Sequence, residues 1–180
     1  MKLIVLSTCE PSHSGHIGYY GETSSSNSTQ GKWLVTTLKA IRTASPSAWI
    51  VVATHHPIAD PEVGDPLYAS AERKALMTLF VNYGVDVAAC GDTHYYRRHK
   101  QTTGPTYIVQ GTGGAPSVSV TKAPLDVYDV AKASGVFGYT MFTLDSTGLK
   151  GVTYGASPTD WVFKVIDTFT VSNRKAVLAQ

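Results

Sequence analysis

Two short stretches of this 180-residue chain place side chains suited to chemistry at the ends of apolar runs. One reads Val85-Asp-Val-Ala-Ala-Cys-Gly-Asp-Thr-His94, an apolar run that stops abruptly at Gly91, Asp92, Thr93 and His94. The other reads Trp49-Ile-Val-Val-Ala-Thr-His-His-Pro57, again apolar until it meets an imidazole pair and a proline. A carboxylate and an imidazole two residues apart on one loop can converge on a point, and imidazole is the commonest metal ligand. A lone Asp-x-His is equally compatible with an ordinary loop histidine. Two strand ends that both offer imidazoles point instead to one shared metal site.

These residues need elements to position them. The runs before His55 and before Asp92 are short and bounded by turn residues, so both read as buried strands. Leu3 to Leu6 reads as another strand. A helix is expected from about Thr29 to Arg42, capped by Ser28, with Trp33, Leu34, Leu38 and Ile41 on its buried face. A second helix is expected after Ser70, with Glu72 in its first turn and Leu76, Leu79, Phe80 and Tyr83 as its stripe, ending at Gly84. The order β, α, β, α, β is that of a parallel sheet covered by helices. Tyr107 to Gln110 reads as a further strand, breaking into Gly111-Thr112-Gly113-Gly114, where backbone can approach another group closely. Tyr139 to Leu144 and Lys150 to Tyr154 form a hairpin, and Trp161 to Phe169 alternates, so the last third reads as antiparallel sheet.

Composition sets bounds. A length of 180 residues, 43% hydrophobic and 16% charged, fits one domain or part of one. A net charge of +2 with no basic run gives no reason to expect nucleic acid as a partner. No apolar stretch reaches membrane-spanning length, and Leu3 to Leu6 is too short for a signal segment, so no membrane partner is expected and the compartment stays open. Cys9 and Cys90 lack metal-like spacing and are compatible with free or paired thiols. The Ser- and Gly-rich stretch from Ser7 to Gln30 holds His13, His16, Tyr19, Tyr20 and Glu22 and is expected to be a solvated loop.

Taken in order, these stretches resemble the calcineurin-like metallophosphoesterases, and among them the purple acid phosphatases. WLVTTLKAIRTASPSAWIVVATHHP is similar to that family's helix, strand and His-x-Pro loop. VNYGVDVAACGDTHYYRR is similar to its Gly-His-x-His-x-Tyr segment, YIVQGTGG to the following strand and glycine turn, and SGVFGYTMFTLDSTGLKG to its closing hairpin. The resemblance implies an α/β (α+β) fold, a four-layer β-sandwich flanked by helices with ligands at strand ends. It also implies hydrolysis of a phosphate ester at two metal ions about 3.5–4 Å apart, drawn from iron, zinc or manganese. By the same resemblance His55 ligates one metal, position 92 contributes to that metal, and His94 ligates the other. His56 sits one residue beyond the ligand position and is expected to face the substrate as a catalytic group. Tyr96 and Arg98 match an aromatic and an arginine for which a structural role is expected.

The sequence departs from the family twice. Asp92 stands where the family has histidine. A carboxylate still ligates iron, zinc or manganese but changes metal preference and charge; a decayed site is the other reading. Of the family's earlier motifs, Gly-Asp-x-x-Asp and Gly-Asn-His are not found in this sequence, and its one Asp-x-His, Asp92-Thr93-His94, fits the family's last motif, between the His-x-Pro loop and the glycine turn. The chain is therefore expected to correspond to the C-terminal half of the domain. Residues 1–120 would carry the metal ligands, and 121–180 the closing antiparallel strands. A second chain or segment is the expected source of the N-terminal half. Two other readings stand beside this one: an inactive relative serving as a structural subunit, and a one-metal site of His55, Asp92 and His94.

Overall fold

A computed structural model of the chain describes residues 1–8, 29–59, 71–100, 103–119 and 129–174. Ser28, Ser70 and the polar stretch with His13, His16, Tyr19, Tyr20 and Glu22 lie outside these residues, as do Cys9 and the side chain of Glu72. Nine strands and two helices occur among the described residues. In order they are β1 (Lys2–Val5), α1 (Thr29–Ala44), β2 (Ile50–Ala53), α2 (Ala71–Asn82), β3 (Val87–Cys90), β4 (Tyr96–Lys100), β5 (Thr106–Gln110), β6 (Asp129–Ala133), β7 (Phe137–Asp145), β8 (Gly148–Ala156) and β9 (Lys164–Val171). Neither helix is long and apolar enough to cross a membrane.

Two sheets result. The larger has the order β1-β2-β3-β5-β4-β6 and the smaller β7-β8-β9. Strands β1, β2, β3 and β5 pair in parallel, as a β-α-β-α-β order dictates. Alternation along β2 sorts the core. Ile50 and Val52 point to the helices, where they join Leu34 and Leu38 of α1 and Leu76 and Phe80 of α2. Val51 points the other way, into a second cluster with Val87, Ile108, Leu149, Phe169 and Val171. The layers are therefore helices, large sheet, small sheet, which is part of a helix-flanked β-sandwich. Burying each of these Leu, Ile or Phe side chains contributes roughly 1.5–3 kcal/mol.

The expected elements recur with some shifts. Trp33 was placed on the buried face of α1 by spacing, yet it is 49% exposed. The buried stripe runs instead through Gly31, Leu34, Leu38 and Arg42. Strand β4 has no counterpart among the expected strands, because Tyr-Arg-Arg-His-Lys looks like surface. Arg97 and His99 are in fact buried in the sheet. Arg98 grips Asp167 of β9 through Nε to Oδ2 at 2.6 Å and Nη2 to Oδ1 at 3.1 Å, and lies 4.7 Å over the Phe169 ring. The Tyr96 hydroxyl donates to the same carboxylate at 2.6 Å. Burial alone would raise the Asp167 carboxyl, but the Arg98 and Tyr96 bonds outweigh it and hold it below the usual range. Tyr96 and Arg98 thus tie the two sheets together, the structural role expected of them. Trp161, read as the start of the last strand, has φ 54° and lies in a turn before β9, stacked on Phe137.

A buried carboxylate ties the chain beyond β9 to the large sheet. Asp86 is fully buried; its Oδ2 accepts from the Ile50 amide at 2.7 Å and its Oδ1 from the Arg174 amide at 2.6 Å. Burial pushes the Asp86 carboxyl up to about 6, against the opposing pull of those amides and of the Arg42 and Arg174 charges. The folded-state pKa lies above the unfolded value, so the folded chain binds the extra proton between about pH 4 and 6. The stability this contributes is fully present below about pH 4 and is lost as pH rises through about 6. Asp86→Asn should remove that slope, changing the wild-type-minus-variant stability by on the order of 2–3 kcal/mol between pH 4 and 7. Urea unfolding at several pH values measures it; parallel curves for the two proteins would refute it.

Candidate metal centre

Parallel pairing puts the ends of β1, β2, β3 and β5 along one edge of the sheet. Loops at the carboxyl ends of such strands are where α/β folds hold ligands. Here they bring Thr8 after β1, His55 and His56 after β2, Asp92 and His94 after β3, and Gly111 to Gly114 after β5. Backbone bonds knit the loops: Thr54 N–H to Ala89 O at 2.9 Å, Gly91 N–H to His55 O at 2.9 Å, and Gly111 N–H to Tyr95 O at 3.0 Å. The close approach expected at the glycine turn is found at Gly111. A Cβ there would overlap the Thr93 carbonyl, so the two loops pack at a distance only glycine permits.

Between them lies an open hollow of about 330 Å³, lined by His55, Asp92, His94, Gln110 and the glycines. His55 Nε2 stands 3.4 Å from Asp92 Oδ1. Asp92 reaches this place because its backbone is left-handed, φ 64°, which turns its carboxylate back toward β2. His55, His56 and Asp92 each offer a ligand atom, all within 4.8 Å of one another. His94 stands outside that group but on the same hollow. Its Nδ1 lies 2.9 Å from the Pro116 carbonyl. A carbonyl only accepts, so Nδ1 carries a proton and Nε2 is the nitrogen left to ligate, the arrangement usual in ligating histidines.

The donors suit a transition metal. Two atoms bound to one tetrahedral ion by bonds of about 2.0–2.2 Å lie roughly 3.3–3.6 Å apart, and the His55–Asp92 separation matches. Imidazole with carboxylate is the set for zinc, iron or manganese rather than calcium.

Two contributors went unnoticed in the sequence. Thr8 accepts the His56 amide at 3.0 Å, and its hydroxyl lies 3.0 Å from His56 Nδ1. Its position immediately after the β1 run, on the same edge as His56, was the available signal. Gln110 ends a buried apolar strand and lines the hollow. Its amide donates to Thr112 Oγ1 at 2.6 Å and its carbonyl accepts from Thr140, which in turn meets Thr153 at 2.9 Å.

No protein-family model matches the chain. It is 28% identical over 123 residues to purple acid phosphatase 1 of Ipomoea batatas, an alignment covering 68% of this chain and 23% of that protein. The fold superposes on purple acid phosphatase PPD1 from yellow lupin (Lupinus luteus) seeds with a TM-score of 0.62 at 21% identity, over 83% of this chain and 29% of that one. It superposes equally on GAP50, the anchor in the inner membrane complex of Plasmodium, with a TM-score of 0.62 at 19% identity, over 87% and 49%. The chain spans about a quarter of the length of the purple acid phosphatase it matches in sequence. In sequence and in fold together, it resembles the C-terminal part of a purple acid phosphatase and fits the calcineurin-like metallophosphoesterase superfamily.

Proposed function

We propose that this chain is the histidine-bearing portion of a metal-dependent phosphoesterase. Joined to a segment or second chain that supplies the family's earlier motifs, it hydrolyses a phosphate ester. The observation that carries this reading is the 3.4 Å approach of His55 Nε2 to Asp92 Oδ1 across adjacent strand ends, beside a second imidazole, His94, on one hollow. His55 and Asp92 hold one ion, and His94 Nε2 faces the place of the second in the completed domain. A bound iron, zinc or manganese ion supplies Lewis acidity toward phosphoryl oxygens and acidifies water. The chain's own contribution is to fix the ligands. Pro116 sets the His94 tautomer, and the Gly91–His55 bond sets the spacing of the two loops. The glycines at 113 and 114 leave room for a phosphate to approach.

Elemental mass spectrometry of the purified chain, with p-nitrophenyl phosphate hydrolysis under added zinc, iron or manganese, tests the proposal. His55→Ala should weaken metal retention by at least about 10-fold, an effect no smaller than losing a ligand's supporting partner. Unchanged metal content and activity in both His55→Ala and His94→Ala would sink the reading.

A second reading has its own support. Tyr139, Met141, Phe163 and Val165 leave an exposed apolar face on the small sheet, with Trp161 beside it. GAP50, which shares this fold, is described as an anchor. On that reading the chain is a catalytically inactive relative acting as a structural subunit. Metal-dependent turnover of a phosphate ester by the chain alone would rule it out.

A further inference from the structure

The family resemblance directs His56 toward a substrate; its geometry points elsewhere. We propose that His55, His56 and Asp92 together bind one divalent transition-metal ion, so that this chain carries a three-ligand mononuclear site of its own, with His94 outside it. The proposal rests on the metal-binding part of the reading above and not on hydrolysis.

Three observations carry it. First, the ligand atoms of these three residues lie within 4.8 Å of one another, and His94 is not among them. Second, the imidazole rings of His55 and His56 have centroids 4.8 Å apart and cross at 78°. Two imidazoles at neighbouring positions on one ion, each bound through a ring nitrogen at about 2.0–2.1 Å, have centres roughly 4.5–5.5 Å apart. Third, His56 is held in place from two sides. The Thr8 hydroxyl meets both its amide and its Nδ1 at 3.0 Å, and its carbonyl accepts from Thr54 Oγ1 at 2.8 Å. Such outer partners orient ligating histidines and are costly to remove. The Asp92 backbone, at φ 64°, delivers the carboxylate from the neighbouring loop. Two imidazoles and one carboxylate leave coordination positions open to water or an anion, and suit zinc(II) or iron(II).

The test is titration of the 180-residue chain with cobalt(II), read by its visible absorption, and with zinc(II) against a chromophoric chelator. The wild type should bind one ion per chain. His56→Ala should weaken binding by about 100-fold or more, and Thr8→Val, which frees the ring but keeps the ligand, by about 10-fold. His94→Ala should keep one ion at an affinity within a few-fold of wild type. Circular dichroism checks each fold, and Thr8→Val decides the matter if His56→Ala does not fold. Wild-type affinity in both His56→Ala and Thr8→Val, loss of the ion in His94→Ala, two ions per chain, or no binding at all would each overturn the proposal. One ion held through His56 without any ester hydrolysis would leave the site standing and remove the phosphoesterase. Binding that needs His94 but not His56 would do the reverse.

Discussion

Arg42→Ala should cost on the order of 3–5 kcal/mol, a large share of the stability usual for a domain. Arg42 sits at the last turn of α1, 3% exposed. Its guanidinium donates to the carbonyls of Tyr83, Pro46, Ala48, Gly84 and Arg174, at 2.7, 2.9, 2.7, 2.6 and 3.2 Å. Those carbonyls belong to the end of α2, the turn before β2 and the chain beyond β9. One side chain therefore closes the C-terminal ends of both helices onto the sheet. Truncation strands several buried acceptors at once, and each costs about 1–3 kcal/mol if water cannot reach it. It also leaves buried Asp86 without its Arg42 charge. Lysine keeps the charge but lacks the fork, so Arg42→Lys should recover only part of the loss. Urea midpoints at pH 7 measure both variants. A shift for Arg42→Ala below about 1 kcal/mol would show that water satisfies these carbonyls.

Gly111→Ala should have its largest effect on metal affinity. The added Cβ would run into the Thr93 carbonyl, backbone against backbone, with His94 Cα next in line. No side-chain rotation relieves that contact. The loop holding Asp92 and His94 must move away from β5, taking the carboxylate off its 3.4 Å approach to His55. We expect at least about 10-fold weaker metal binding and about 1–3 kcal/mol of destabilisation, the usual range for overpacking. Gly113 provides the contrast. A Cβ there meets nothing within 4 Å, so Gly113→Ala should leave stability within about 0.5 kcal/mol. Equal midpoints for the two alanine variants would refute the close-approach argument.

How far the sequence spoke can be judged from particular elements. β2, β3 and β5 were legible because parallel strands buried on both faces read as continuous apolar runs. The hairpin β7–β8 was legible through alternation and its Asp145–Gly148 turn. β4 was not, because its charges find partners only in the folded state. Nothing near Arg98 in the sequence announces Asp167, 69 residues away. Trp33 failed for a related reason. Spacing identifies a helix face, but the face was rotated by the burial of Arg42, whose acceptors come from three separate segments. At the site, the residue types and their strand-end positions were readable. Which three of them cluster was not, because that depends on the left-handed turn at Asp92 and on Thr8, brought alongside from β1.

That left-handed turn has an evolutionary corollary. Apart from glycine, the side chains that tolerate φ near +60° most readily are asparagine, aspartate and histidine. The codons of these three differ from one another only in their first base. Position 92 can therefore pass between carboxylate, amide and imidazole by single-base changes, with the loop left as it stands. Glycine aside, the backbone here favours residues that can still donate to a metal. Drift among these three would exchange one metal-site chemistry for another while the left-handed turn is kept.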